Sequence, residues 1–135
     1  MNIGAQAELV AARYLRQHGL LLVVQNYHCR FGEIDLIMQD GKTLVFAEVR
    51  LRSSKDFGGA AASIDVRKQR KLVSTAQHYL STLAHIPPCR FDALLMKPPS
   101  AQATLALQPK KPRVNDLNPL FQEIDIEWIK NAFDA

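Results

Sequence analysis

The stretch FGEIDLIMQDGKTLVFAEVRLR, residues 31–52, decides the fold, because it is typical of two β-strands joined by a tight turn. The first run, residues 33–38, mixes acids with Ile and Leu, and the second, residues 44–51, is rich in Val, Leu and Phe. Asp40 and Gly41 stand between them, and an Asp-Gly pair between two such runs strongly favours a β-hairpin. We therefore predict a hairpin here and interpret the rest of the chain around it.

Two acids of this hairpin are expected to share one face, because side chains alternate along a strand. With a four-residue loop Asp35 lies directly opposite Glu48, and with a two-residue loop Glu33 faces Glu48 and Asp35 is its diagonal neighbour. In both registers the Cβ atoms of Asp35 and Glu48 come within roughly 5–8 Å. Carboxylates that close repel each other unless a positive charge lies between them.

A divalent cation of the Mg²⁺ class would relieve this repulsion, since it prefers carboxylate oxygens and water. Nucleases use such sites to activate water and to stabilise charge on phosphate. The alternative is an acidic cluster neutralised by Arg50 and Arg52 without any metal. The spacing alone favours neither interpretation.

Length and composition place the chain among ordinary globular proteins. Its 135 residues, 47% hydrophobic, fit one domain with a substantial core. We expect a cytoplasmic protein with no membrane association, because no apolar run reaches membrane-spanning length and residues 1–20 lack a signal-peptide pattern. Cys29 and Cys89 are far apart and outside zinc-binding spacings, which argues against a zinc site. The net charge of +4 permits nucleic-acid binding without requiring it.

Residues 3–18 have the periodicity of an amphipathic helix that ends at Gly19. Glu8 falls at the margin of the apolar face of this helix. From that position its carboxylate could lean over the sheet toward a site. The plainer alternative, which the residues alone favour, is an edge residue in water or paired with a basic neighbour.

Residues 65–83 predict a second long helix, with Ser63 or Asp65 as its N-cap. Basic side chains crowd its first two turns, against the helix macrodipole, which favours acids there. Phosphate binding would use such charges, and the alternative is a solvated basic face. Lys68 adjoins the apolar face and is expected to point inward. The four basic residues are Arg67, Lys68, Arg70 and Lys71.

Three further strands are predicted outside the hairpin. Residues 20–30 have an apolar first half, which indicates burial on both faces. Residues 90–96 form the next strand, in which Asp92 is expected to be a structural partner of an arginine. Residues 120–128 alternate cleanly between apolar and polar, which predicts an edge strand with a wet acidic face.

The remaining segments are assigned to connections and to the end of the chain. Residues 97–119 hold five of the seven prolines and are interpreted as a surface loop, either a basic arm that touches nucleic acid or a plain insertion. Residues 129–135 are predicted to form a short terminal helix. The whole chain, residues 1–135, is expected to be a single domain.

Taken together, these patterns resemble the YraN-like family of small bacterial endonuclease-like proteins over nearly the full chain. Each piece is weak alone, but the combination is specific. The matching positions are Gly4, Glu8, Ala12, Tyr14, Leu15, Gly19, Asn26, GEIDLI at 32–37, FAEVRLR at 46–52, Lys68, Ala76, Tyr79, Leu80, RFD at 90–92 and NAF at 131–133.

The resemblance implies an α/β, restriction-endonuclease-like fold: a central mixed β-sheet of about five strands flanked by helices. It is most similar to the archaeal Holliday junction resolvases of the PD-(D/E)xK nuclease group. In that group a helix acid, an Asp and the acid of an ExK tripeptide bind Mg²⁺ or Mn²⁺, and the Lys positions the attacking water. Carried onto this chain, those positions are Glu8, Asp35, Glu48 and Arg50.

One departure from the family matters, because the tripeptide is EVR here instead of EVK. Arginine stays protonated and cannot act as a base, although it can hold a phosphate or stabilise transition-state charge. Either Arg50 does only that, or Lys68 supplies the amine, or catalysis is lost.

The resemblance therefore leads us to expect a metal-dependent nuclease that acts on DNA, branched or damaged DNA included. Alternatives are a catalytically degenerate nucleic-acid-binding module and a protein-interaction scaffold. Because relatives that cut junctions act as dimers, a homodimer is a further expectation. The side chains expected to contact DNA are Arg52, Arg67, Lys68, Arg70 and Lys71.

Overall fold

The computed structural model describes residues 3–51, 64–97 and 125–133, and within them the chain forms two helices and five strands. Arg52, Ser63, nearly all of the loop predicted at 97–119 and residues 120–124 of the predicted edge strand lie outside these ranges. In chain order the elements are α1 (Ile3–Gln17), β1 (Leu21–Cys29), β2 (Gly32–Asp40), β3 (Thr43–Leu51), α2 (Val66–Leu80), β4 (Cys89–Lys97) and β5 (Asp125–Phe133).

The five strands form one sheet in the order β1-β2-β3-β4-β5. Three neighbouring pairs are antiparallel, and β3 pairs with β4 in parallel, with α2 in the connection between them. The predicted α/β fold, a mixed five-stranded sheet flanked by helices, is confirmed at this level. Neither described helix is long and apolar enough to cross a membrane.

The two helices pack against opposite faces of the sheet, which gives two separate hydrophobic clusters. The α1-side cluster combines Ala7, Val10, Ala11, Ala12, Leu15, Leu20, Leu36, Met38, Val45, Ala47, Leu94 and Met96. The α2-side cluster combines Ile34, Ile37, Leu44, Phe46, Ile64, Leu72, Ala76, Phe91 and Ala93. Because β3 and β4 contribute to both clusters, both of their faces are buried.

The hairpin of β2 and β3 is confirmed. Its ladder runs from Leu36 opposite Ala47 to Asp40 opposite Thr43, and Gly41 takes the left-handed φ of 61° that the turn requires. This is the first of the two registers considered from the sequence, although only Gly41 and Lys42 lie between the strands and the predicted four-residue loop is wrong. The pair next to Leu36 and Ala47 in this register is Asp35 and Glu48, so the acids lie directly across the ladder.

The alternation of side chains between the two faces of the sheet fails around Asp35, which the sequence did not indicate. In β2 and in β1, residues three apart, rather than two, pack into the same α2-side cluster. Asn26 in β1, with a left-handed φ of 55°, lies across from Asp35 at this irregularity. The residues three apart are Ile34 and Ile37 in β2, and Val24 and Tyr27 in β1.

The prediction that the first half of β1 is buried on both faces is wrong. Leu21 is 66% exposed and Val23 is 41% exposed. The physical reason is that β1 is an edge strand of the sheet, so Leu22 and Val24 pack against the two clusters while Leu21 and Val23 are left in solvent.

The predicted terminal helix is also wrong, because Ile129–Phe133 continues β5. Phe133 pairs with Phe91 across the ladder, and the two rings stack at a centroid distance of 4.7 Å. Burial against β4 outweighs the weak helical tendency of so short a segment. The exposed acids of this edge strand, Asp125 and Glu127, match the prediction.

Helix α2 begins as expected and ends earlier than expected. Asp65 is the N-cap, and its carboxylate accepts from the backbone N–H of Lys68 at 2.8 Å. The helix ends at Leu80 instead of residue 83, with Ser81 as its C-cap. The hydroxyl groups of Ser81 and Thr82 donate to backbone carbonyls three residues earlier, which favours turns over a continued helix.

Asp92 is the buried acid that joins three strands, and its predicted arginine partner is confirmed as Arg90. The Nε of Arg90 donates to both Asp92 oxygens at 3.1 Å, and a second arginine nitrogen lies 2.9 Å from the carboxylate of Asp40 in β2. From β5, Trp128 Nε1 donates to Asp92 at 3.0 Å and the backbone N–H of Asn131 donates at 3.1 Å.

We predict that Asp92→Ala lowers the free energy of unfolding by about 3 kcal/mol or more, because it leaves the Arg90 charge without its buried partner. Urea denaturation followed by circular dichroism measures the change. Asp125→Ala, which removes an exposed acid from the neighbouring edge strand β5, is the matched control and should change stability by less than about 0.5 kcal/mol. Equal effects of the two substitutions would contradict this account of Asp92.

Candidate functional site

The candidate site lies where β2 begins and β3 ends, with one helix on each side of it. Asp35 of β2 and Glu48 of β3 are its two strand acids, and they are only 8% and 7% exposed. Glu8 reaches them from α1 and Lys68 from the first turn of α2. Four elements, two of them the strands of one hairpin, therefore contribute to one group of charged side chains, which we call the acidic pocket.

Asp35 is the centre of the acidic group. Its Oδ2 accepts from the backbone N–H of Val49 at 2.9 Å, which fixes the carboxylate against β3. The carboxyl groups of Glu8 and Glu48 each form a hydrogen bond with Asp35. The structure thus brings the three sequence-predicted acids into contact.

Asn26 is a fourth member of this group that the sequence reasoning did not select as a site residue. Its side chain is hydrogen-bonded to Glu8, and the bond favours the ionised form of that glutamate. The left-handed φ of Asn26 is a conformation that asparagine tolerates better than most residues. A turn-favouring Asn in the middle of a predicted strand is the signal that could have pointed to it.

The three acids hold protons more tightly than exposed carboxyls do. Burial, together with the nearby charge of Asp35, raises the pKa of Glu8 to about 7 and the pKa of Glu48 to about 7. Burial also raises the pKa of Asp35, although the hydrogen bond from Val49 opposes that shift. Because too little positive charge lies near the three carboxyl groups, they ionise only at a pH above their ordinary pKa values.

Two cations stand at the margin of the pocket, on the side of Glu48. Lys68 Nζ lies 3.6 Å and Arg50 Nη1 lies 3.9 Å from the same oxygen, Glu48 Oε1. The predicted inward orientation of Lys68 agrees with this contact. The second oxygen, Glu48 Oε2, is buried and finds no hydrogen-bond partner among the described residues. Within that part of the chain, the cations do not satisfy the acids, which disfavours simple neutralisation by Arg50.

The donor set fits a hard divalent ion. A site for a cation should contain, when the cation is absent, a carboxylate oxygen without a partner and acids with raised pKa values. Among the described residues, Glu48 has both features. The described residues contain no group of three or more His, Cys, Asp or Glu side chains arranged to hold a metal ion. Two carboxylates are enough, because Mg²⁺ usually takes one or two from the protein and completes its shell with water and phosphate. Asp35 and Glu48 fit that role, with Glu8 beside them.

The remaining basic residues of α2 extend outward from the site. Arg67, Arg70 and Lys71 are exposed, and the first turn of the helix contains no acid. Their proposed contact with phosphate stays a prediction, as does that of Arg52, which lies outside the described residues.

Comparison with known proteins shows the family. The profile of the uncharacterised protein family UPF0102 matches residues 7–96, which include all the candidate acids and Lys68. A UPF0102 protein of Nitrosospira multiformis is 48% identical over 132 residues, covering 98% of this chain and 92% of that protein. One of Psychromonas ingrahamii is 60% identical over 91 residues, covering 67% and 75% respectively. The chain therefore belongs to the UPF0102 family.

The raised pKa values predict how stability changes with pH in the absence of metal. The ordinary pKa of a glutamate is 4.5, so between pH 4.5 and about 7 the folded state binds more protons at Glu8 and Glu48 than the unfolded chain does. This contribution to stability is fully present below pH 4.5 and is lost as pH rises through about 7. Compared with wild type, Glu48→Gln should therefore gain about 2–3 kcal/mol of stability between pH 5 and pH 8, since one pKa unit corresponds to about 1.4 kcal/mol.

Urea denaturation of wild type and variant in EDTA at both pH values measures this difference. The control is Asp125→Asn, which removes an exposed acid from the edge strand β5 and should change stability nearly equally at the two pH values. If Glu48→Gln behaves like this control, the acids do not share a buried pocket in solution.

Proposed function

We propose that the protein is a divalent-metal-dependent nuclease of the restriction-endonuclease-like fold, which hydrolyses phosphodiester bonds of DNA. The observation that carries the proposal is the contact of the buried acids Asp35 and Glu48 with the half-buried Glu8, together with Lys68 at 3.6 Å from Glu48. Buried acids without enough positive charge are costly, and such sites are commonly functional.

Asp35 and Glu48 would hold Mg²⁺ or Mn²⁺, and Glu8, bonded to Asp35, would assist. When bound, such an ion supplies Lewis-acid stabilisation of phosphate charge and a water of lowered pKa. The bond from the Val49 N–H keeps Asp35 in place during this chemistry. Lys68 and Arg50, both partly exposed beside Glu48, are positioned to contact a phosphate that enters the pocket.

The cation at the third position of the tripeptide at 48–50, which is Arg50 here, is the feature that separates an active from a degenerate nuclease. Arg50 can stabilise charge on phosphate but cannot accept a proton. Lys68, from the other side of the pocket, approaches Glu48 slightly closer than Arg50 does. We therefore assign to Lys68 the positioning of the attacking water, and to Arg50 a contact with phosphate.

Cleavage of supercoiled plasmid and of a four-way DNA junction tests the proposal. With Mg²⁺ or Mn²⁺ the wild-type protein should convert these substrates, and EDTA should stop the reaction. Asp35→Asn should reduce the rate by about 100-fold or more, because it removes charge from the proposed metal pair.

Glu33→Gln, two residues away on the same strand and exposed, is the matched control and should leave the rate within a few-fold of wild type. No cleavage by the wild-type protein under any of these conditions would refute the enzymatic proposal. Equal loss in both variants would show that the pocket is not the site.

The second candidate function, a catalytically degenerate DNA-binding module, is favoured by the arginine at position 50. Two substitutions separate the alternatives. In an active enzyme Lys68→Ala should reduce cleavage by about 100-fold, and Arg50→Lys should stay within about tenfold of wild type because it retains a cation beside Glu48. Salt-dependent DNA binding without cleavage in wild type, with cleavage gained in Arg50→Lys, would establish the degenerate module instead.

A further inference from the structure

The tip that joins β1 to β2 presents an aromatic ring to solvent. Phe31, which is 41% exposed, follows Arg30 at this tip, and the strands close beside it where Cys29 pairs with Gly32. The guanidinium of Arg30 lies over the Phe31 ring, 4.8 Å from its centroid. Isolated exposed apolar residues are common, so exposure alone indicates nothing. The surroundings of this ring distinguish it.

Phe31 is held in place without being buried. The ring of His78, on α2, meets it in a T-shaped contact at a centroid distance of 6.2 Å. His78 is itself fixed by a hydrogen bond between its Nδ1 and the hydroxyl of Tyr27 in β1. Tyr27 in turn packs edge-on against Tyr79 at 5.2 Å. We call Phe31, Arg30, His78 and Tyr27 the Phe31 platform.

The platform stands beside both the basic helix and the acidic pocket. Gly32, next to Phe31, packs closely against α2. If Gly32 carried a Cβ atom, that atom would lie 3.3 Å from the hydroxyl oxygen of Thr75 and 3.9 Å from the Cβ of Lys71. Lys71 is exposed there. Gly32 and Asp35 are three residues apart on an extended strand, a separation of about 10 Å. A nucleic-acid backbone within reach of the acids would therefore pass near the ring.

We propose that the Phe31 platform stacks an unpaired base, so that the preferred DNA carries single-stranded nucleotides next to a duplex. This inference rests on the proposed action on DNA. Aromatic rings stack on any unpaired base, whereas the bases of an intact duplex offer no free face. Arg30 adds a cation for the adjacent phosphate, and the exposed charges of α2 serve the flanking backbone. The partner is thus gapped, flapped or forked DNA in preference to continuous duplex.

Binding measured without metal tests this inference independently of cleavage. Fluorescence anisotropy in EDTA compares a continuous duplex with the same duplex carrying a short single-stranded gap. Wild type should bind the gapped DNA more tightly, and Phe31→Ala should weaken that binding about tenfold while changing duplex binding little. Phe31→Tyr, which retains a stacking ring, should bind like wild type and so excludes a folding defect of the tip.

A stacking readout accompanies the affinities. 2-Aminopurine placed in the gap should lose fluorescence when wild type binds, and Phe31→Ala should abolish that loss. Leu21→Ala is the matched control, because Leu21 is even more exposed, at 66%, and lies at the opposite end of β1. It should behave as wild type in both assays.

Three results would overturn the inference: no DNA binding, equal binding of gapped and continuous DNA by wild type, or unchanged gapped-DNA binding by Phe31→Ala. Failure of the nuclease proposal is distinguishable from these. A preference for gapped DNA that depends on Phe31, without cleavage in Mg²⁺, refutes the enzyme and supports the platform. Cleavage in Mg²⁺ that does not depend on Phe31 supports the enzyme and refutes the platform.

Discussion

Enclosing three carboxyl groups in one pocket is the constraint on which the rest of this structure depends. Burial and the neighbouring charge of Asp35 raise the pKa values of Glu8 and Glu48, so the pocket works against folding near neutral pH. The surrounding fold tolerates this because the acids lie at one end of a well-packed hairpin whose other residues fill two cores. Local conflict within a consistent fold is typical of functional sites.

The layered architecture explains how so few residues can build the pocket. A helix on each face of the sheet places Glu8 and Lys68 on either side of the strand ends that carry Asp35 and Glu48. The parallel β3–α2–β4 crossover makes this arrangement possible, since it returns the basic start of α2 to the end of β3. The negative charges therefore come from α1 and the sheet, and the positive charges come mainly from α2.

Sequence periodicity predicted the hairpin, its acid pair and the packed faces of both helices, because these features depend on residues close together in the chain. It failed where distant partners decide the conformation. Asn26 adopts its left-handed turn beside Glu8, and residues 129–133 extend as a strand because β4 lies next to them. The exposed half of β1 was misjudged for a similar reason, since an apolar run does not reveal whether its strand is central or at an edge. The roles of the site residues stay predictions from resemblance and geometry.

The two outer strands share a feature that bears on how the protein avoids aggregation. β1 and β5 form the edges of the sheet, and each carries an asparagine with positive φ, Asn26 and Asn131. In β5 the asparagine accompanies a register shift against β4, and its backbone N–H is directed to Asp92 instead of outward. Kinked edges of this kind present a broken row of hydrogen-bonding groups, which hinders the runaway addition of strands from other chains.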